Sequence, residues 1–323
     1  MDIKVRRYLA PLTVSGKLGL AAMLALGLAA WQPVLAQPAA KPASPAQPVS
    51  APPAPAGAVG GMGDVNIYPK RVVIDAKQRV ASVGLFNRAA AQGDYDISIT
   101  DLMMTPEGRL VELGSVTDPA LRDRVRTASS LLRWSPRRVT LRPFDSQTVR
   151  VMARVSPDLP PGEYRSHFSA VAVPAVGTSG YTIEQATGGQ SNAAIGVTIV
   201  PRFGISIPVI VRVGETNATA GLRDLSVLAA PDGRKAIAMT ITRTGNRSVF
   251  GDILVTVTGS KTKVAEIRGI GVYPEVNQRP VQIPLDPTVD PRLTARGARL
   301  TVTYTDDDFA PGKILVKQDF IVP

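Results

Sequence analysis

Residues Ile195–Val213 read IGVTIVPRFGISIPVIVRV, and every odd position is apolar: Ile195, Val197, Ile199, Pro201, Phe203, Ile205, Ile207, Val209, Val211 and Val213. Thr198, Arg202, Ser206 and Arg212 fall on even positions. A period of two marks a strand with one buried face. Strands ordinarily run to about five or six residues. At about 3.3 Å per residue this one would extend about 60 Å, more than one small domain covers. Two readings follow. Either two successive strands meet at Pro201-Arg202 and both pack in their own sandwich, or one long strand overhangs and lays its apolar face against another protein. Pro201 and Pro208 cannot donate to a ladder, so they fit an edge better than a central strand.

The composition agrees with a β protein. The chain has 323 residues, enough for about two domains. Aromatics make up 5%, while 28 Gly and 28 Pro supply turns. There is no cysteine, which excludes disulfides, thiolate chemistry, cysteine-ligated zinc and a lipoprotein anchor.

The N-terminus reads as a secretory signal. Basic Lys4, Arg6, Arg7 and Lys17 precede the apolar run Leu18–Trp31, and Val34-Leu35-Ala36 has the small-residue form of a cleavage site. The run is short for a membrane span of about 20 residues, and an uncleaved anchor is the alternative. Removing residues 1–36 takes away four basic residues and Asp2, so the formal +11 becomes +8. Such a charge favours acidic partners, anionic lipid or polysaccharide. Export and the lack of aromatics interleaved with arginine argue against nucleic acid.

Residues 37–62 are rich in Pro, Ala, Ser and Gly with no periodic face, and are expected to be an extended tether. Alternation then marks strands at Val65–Ile67, Val72–Ile74, RVASVGLF, GDYDISITDL, SQTVRVMARV and GEYRSHFSAVAV. Asp118–Trp134 is the one helix candidate, with Asp118 as N-cap and Pro119 at the first helical position. Residues 174–192 read as a long loop. Beyond Glu215, six more alternating runs follow: Ala236–Thr242, Asp252–Thr258, Val264–Tyr273, Arg279–Leu285, Arg299–Thr305 and Lys313–Val322. The expected fold is all-β, with two immunoglobulin-like sandwiches at 63–213 and 214–323.

No Gly-rich phosphate loop, paired catalytic carboxylates or metal-spaced histidines occur in the sequence, and the chain is not read as an enzyme. His167, the single histidine, follows Ser166 in a strand and is read as structural. Asp306-Asp307-Asp308 reads as a turn, because calcium needs six to eight oxygens spread over a loop pattern that is absent. Arg122, Arg124 and Arg126 are expected to form a solvated face.

Four blocks in order, YPKRVVIDAKQRVASVGLFN (68–87), RWSPRRVTLRPFDSQTVRVMARV (133–155), LPPGEYRSHFSAVAVP (159–174) and VTIVPRFGISIPVIVR (197–212), carry a resemblance. Together they resemble the N-terminal domain of periplasmic chaperones of the chaperone–usher pilus pathway. The resemblance runs from about Asp64 to Val213, and the second half fits by size and β pattern. It implies that the long strand is lent to an incomplete pilus or fimbrial subunit through Ala193, Ile195, Val197 and Ile199. It also implies that Arg71 and Arg202 hold the subunit's C-terminal carboxylate in the cleft between the domains, and that an outer-membrane usher receives the subunit. No cofactor, metal or small-molecule substrate is implied. Arg202 stands where lysine is usual, and 118–134 and 174–192 are insertions. The rival reading is a surface structural or adhesive protein with two immunoglobulin-like domains on a Pro-rich stalk.

Overall fold

The structure is a computed structural model, which describes residues 59–60, 64–174, 202–229 and 234–323. The signal, most of the tether, the donor residues Ala193, Ile195, Val197 and Ile199, and Pro201 lie outside the described residues.

The first half contains β1 (Val59–Gly60), β2 (Val65–Tyr68), β3 (Val72–Ile74), β4 (Val80–Asn87), β5 (Gly93–Thr100), β6 (Leu102–Met104) and β7 (Leu110–Glu112). A short helix, α1 (Pro119–Arg122), leads to β8 (Leu132–Ser135), β9 (Arg138–Leu141), β10 (Ser146–Ala153), β11 (Gly162–Val173) and β12 (Gly204–Val213). Two five-stranded sheets result, ordered β1-β2-β4-β10-β8 and β3-β12-β11-β5-β9. Alternate residues from each sheet meet in one core. Val83, Leu85, Val149 and Val151 come from the first; Ile97, Phe168, Ile207 and Val209 come from the second.

The second half contains β13 (Ala218–Ala229), β14 (Lys235–Gly245), β15 (Val249–Val257), β16 (Lys263–Val272), β17 (Gln278–Pro284), β18 (Arg299–Asp306) and β19 (Ile314–Ile321). They form sheets β13-β14-β17 and β16-β15-β18-β19 around a second core that includes Ile237, Ile241, Ile253, Val255, Val302 and Tyr304. Gly245 (φ 101°) and Gly312 (φ 86°) occupy the left-handed conformation at turns of this sandwich. The all-β class with two sandwiches is therefore the observed architecture.

Three expectations are corrected. The helix at Asp118–Trp134 shortens to α1. Asp118 does cap it, accepting from the Ala120 N–H at 2.9 Å. Beyond it the chain pairs with β11 instead: the Arg165 N–H donates to the Arg126 carbonyl at 2.8 Å, and Ala128 and Leu132 enter the core. Tertiary pairing overrides helical preference there. Arg122, Arg124 and Arg126 are nonetheless exposed.

The second correction adds β13, which the alternation did not reveal. Ala218, Ala220 and Leu222 face inward on even numbers, then Leu225 and Val227 on odd ones. A bulge between Arg223 and Ser226, with Asp224 at φ 56°, shifts the phase by one.

The third concerns the opening stretch. Over the described part, Ile205, Ile207, Val209 and Val211 bury their side chains in the core of their own sandwich. The reading in which that face meets another protein can apply only upstream of Ile205, where Phe203 is already exposed. β3 pairs with β12 in parallel, only at Val209–Val211. Pro208, with no N–H to give, falls just before that pairing begins.

Gly251 tests the packing of the second sandwich. A Cβ there would lie 1.8 Å from the Thr305 carbonyl oxygen on the neighbouring strand. Gly251→Ala must push β15 and β18 apart, and is expected to cost about 3 kcal/mol in urea unfolding.

Candidate functional site

Strand β11 is buried on both faces along Gly162–Ala170. Its even residues Tyr164, Phe168 and Ala170 enter the first core. The odd residues Glu163, Arg165, His167 and Ser169 point the other way, yet are also buried. Register sets Glu163 opposite Arg212, Arg165 opposite Ile210 and His167 opposite Pro208 on β12. Ile210 belongs to the second core, so this face of the first sandwich abuts the second. Arg71, one residue ahead of the pair Val72–Val209, lies at the same edge.

The second sandwich answers with a turn that Asp306 organises. The Asp306 carboxylate accepts the N–H groups of Asp308, Phe309 and Ala310 at 2.8, 3.1 and 3.1 Å. The triple-aspartate segment is thus the expected turn, and its remaining carboxylates face the first sandwich. Asp307 meets Lys70 at 2.6 Å. Asp308 meets Arg71 at 2.9 Å and also receives Arg212. Arg212 reaches Glu163 at 3.4 Å, and Glu163 accepts from the Ser248 hydroxyl at 3.0 Å. Arg71 donates to the Ser248 oxygen at 2.8 Å and lies 4.5 Å from the centre of the Phe250 ring.

A second buried pair lies beside the first. Arg165 contacts Glu275 at 2.6 Å, donates to the Leu102 carbonyl at 2.9 Å, and stacks 3.6 Å from the centre of the Tyr273 ring. Glu275 also accepts the Met104 N–H at 2.9 Å. These partners satisfy charges that burial would otherwise penalise by several kcal/mol each.

The satisfaction is incomplete. Among the described residues, Arg71 Nε and Nη1, Arg165 Nε, Glu163 Oε1 and both nitrogens of His167 are buried without a hydrogen-bond partner. Burial acts to lower the Arg71 pKa, but Tyr273, Asp308 and Glu163 outweigh it and the value is raised. Arg71 is therefore a buried cation with donors to spare, a form suited to a carboxylate. Burial, then Arg165 and Arg71, drive the His167 pKa down to about 3, so its ring is neutral. Ser166 points into the opposite face, where its hydroxyl donates to Asp101.

Arg202 is not part of this cluster, which corrects the expectation that it shares a cleft with Arg71. Register runs β12 antiparallel to β11 along its whole length, so Arg202 and Arg212 lie at opposite ends, about 33 Å apart. Half exposed, Arg202 contacts Asp96 at 3.3 Å and donates to the Ala172 carbonyl at 3.2 Å. The cation brought to Arg71 is Arg212. Sequence alternation held a clue to this group: Glu163, Arg165 and His167 recur at every second position of a strand whose other face is already apolar. Charge there reads as solvated by default, and only a second sandwich makes it buried.

The other candidate feature is an edge. Since β3 covers only Val209–Val211, the side of β12 along Gly204–Pro208 has no strand partner among the described residues. On the other side, pairing continues to the Phe203 carbonyl, which accepts the Ala172 N–H at 2.8 Å, and β11 ends at Val173.

No protein-family model matches the chain, and none of the curated proteins does. Solved structures do align with it. The YadV chaperone is 13% identical, with 80% of this chain and 100% of that chain covered and a TM-score of 0.39. The Pseudomonas aeruginosa CupB2 chaperone is 12% identical, covering 78% and 97% at a TM-score of 0.38. A chain of the Salmonella enterica SafA pilin–SafB chaperone complex is 11% identical, covering 82% and 99% at 0.38.

Asp308→Ala leaves Arg71 and Arg212 buried without their shared carboxylate, and is expected to cost about 3–5 kcal/mol in urea unfolding. His167 gives a pH signature. Folded, it stays neutral down to about pH 3; unfolded, it takes a proton near pH 6.5. Between those values the unfolded chain binds the extra proton, so stability falls as pH drops below about 6.5. Melting temperature against pH is expected to flatten over that window in His167→Gln.

Proposed function

We propose that the protein is an exported, periplasmic assembly chaperone for incomplete pilus or fimbrial subunits. It lends them the strand containing Ala193, Ile195, Val197 and Ile199 and hands them to an outer-membrane usher. The observation that carries this reading is the open side of β12 along Gly204–Pro208, which leads directly into that alternating stretch. An unpaired edge is a template for another chain, and alternate apolar side chains can fill a groove in the partner. The four sequence blocks that resemble the pilus chaperones support it independently. The Arg71 donors without partners suit the subunit's terminal carboxylate. In this reading Arg202, at the far end of β12, marks where the donated strand leaves its own sandwich. The reaction needs no cofactor: release follows when a neighbouring subunit's strand replaces the chaperone's.

One observation favours the rival, a two-domain surface structural protein. Arg71 already holds a carboxylate of its own chain, Asp308. In that reading the arginine locks the two sandwiches together and binds no partner.

Affinity capture from the native cell envelope separates the two. Wild type is expected to retain a small β-rich subunit near one-to-one. Ile195→Asp/Val197→Asp is expected to lose it while melting as wild type does. A subunit that stays bound to that double variant removes strand donation. No captured subunit with either protein moves the reading to the structural rival. Arg71→Ala, verified as folded, tests the anchor separately and is expected to weaken capture at least about tenfold, the scale of a lost charge-assisted contact.

A further inference from the structure

The outer face of the sheet β1-β2-β4-β10-β8 takes no part in the site above. Arg150, Met152 and Arg154 alternate along β10 and its continuation, pointing away from the core. Register places Met152 between Val80 on β4 and Arg133 on β8, and Arg150 between Ser82 and Ser135. Adjacent strands are about 4.8 Å apart and alternate residues about 7 Å, so three guanidinium-bearing side chains ring Met152. Arg133, Arg150 and Arg154 are exposed, and so is Val80.

Nothing in the fold neutralises them. No Asp or Glu lies on β2, β4, β8 or β10. Among the described residues the side chains of Arg150 and Arg154 have no hydrogen bond or ion pair. Arg133 donates to the Ser130 and Leu132 carbonyls at 3.1 and 2.7 Å and meets no carboxylate. At the same end, Arg137 stacks 4.0 Å from the centre of the Trp134 ring. Like charges gathered on one sheet face repel, so the cluster weakens the fold unless a counter-charge comes from outside.

The chain does not carry that counter-charge. Outside the described residues its acidic side chains are Asp2, Glu184 and Asp232. A second copy brings the same strongly basic balance. An external anionic surface is complementary to this face, and the make-up of the face favours a bilayer over an acidic protein. On this open sheet Met152 lies between Arg150 and Arg154 and opposite Val80, a mixture of cationic and apolar side chains that seats in a headgroup layer.

We infer that this face docks on an anionic lipid bilayer, with Arg133, Arg150 and Arg154 at headgroup phosphates and Met152 and Val80 at the acyl boundary. The inference rests on export and not on strand donation. Membrane contact would hold the protein beside the surface where exported chains emerge or assemble.

The test is co-sedimentation of the full chain with phosphatidylcholine vesicles, with and without phosphatidylglycerol, at low and physiological salt. Each arginine near an anionic surface is expected to change partition about fivefold, so R133Q/R150Q/R154Q should lower the phosphatidylglycerol-dependent part about 100-fold. The comparison is R292Q/R296Q/R299Q, which removes equal charge from exposed positions of the second sandwich and should change partition by less than about fivefold. Thermal melts establish that both variants are folded. If the first triple is not, R154Q alone, at the end of β10, carries the test with its fivefold loss. Equal losses in the two triples would reduce the effect to net charge and overturn the assignment. So would a wild type that ignores phosphatidylglycerol. Soluble polyglutamate that binds wild type but not R133Q/R150Q/R154Q, with lipid partition the same for both, would reassign the face to an acidic protein.

Discussion

The seam between the two sandwiches depends on Glu163. Its side chain is fully buried on β11, where a bare carboxylate would be untenable. Arg212 on the neighbouring strand answers it from the same sandwich, and Ser248 answers from the other. Arg212 then needs Asp308, which also takes Arg71. Each partner creates the need for the next, so the ionic chain crosses from one sandwich to the other and back. A buried ionic network of this kind adds little net stability over an apolar interface. What it adds is geometry: with donors and acceptors matched in this order, few other placements of the second sandwich satisfy the same groups.

β12 serves both cores at once. Its odd side chains fill the first sandwich, while Ile210 and Arg212 on the even side reach the second. Upstream of Val209, along Gly204–Pro208, the other flank of β12 has no strand partner among the described residues, although Ile205 and Ile207 still pack in the first core. The unpaired flank among the described residues follows from the shortness of β3. The basic outer face lies on the opposite sheet of the same sandwich, so a partner on β12 and a bilayer under β10 would not compete for one surface.

Much of the fold was legible because period-two alternation survives wherever a strand has one apolar and one solvated face, as in β4, β10, β14 and β18. It failed in three kinds of place. At Asp224 a bulge reversed the phase of β13. At 123–134 the chain bridges β11 at Thr127 and then joins β10 as β8, partners that local preference could not anticipate. On β11 both faces are buried, and its charged face looked like ordinary solvent exposure. Arg71 was singled out from the sequence through resemblance, and it does lie at the seam. Arg202 was paired with it for the same reason, although strand length alone separates the two by the whole of β12.

The sequence by itself determined the class of protein: alternating runs with Gly and Pro turns build sandwiches, and the absence of cysteine leaves burial and polar pairing to hold them. Only the tertiary structure decided which charges meet. Glu163, Arg212, Ser248 and Asp308 are separated by tens of residues along the chain. Their pairing depends on strand register and on the approach of a second sandwich, and no local pattern encodes either.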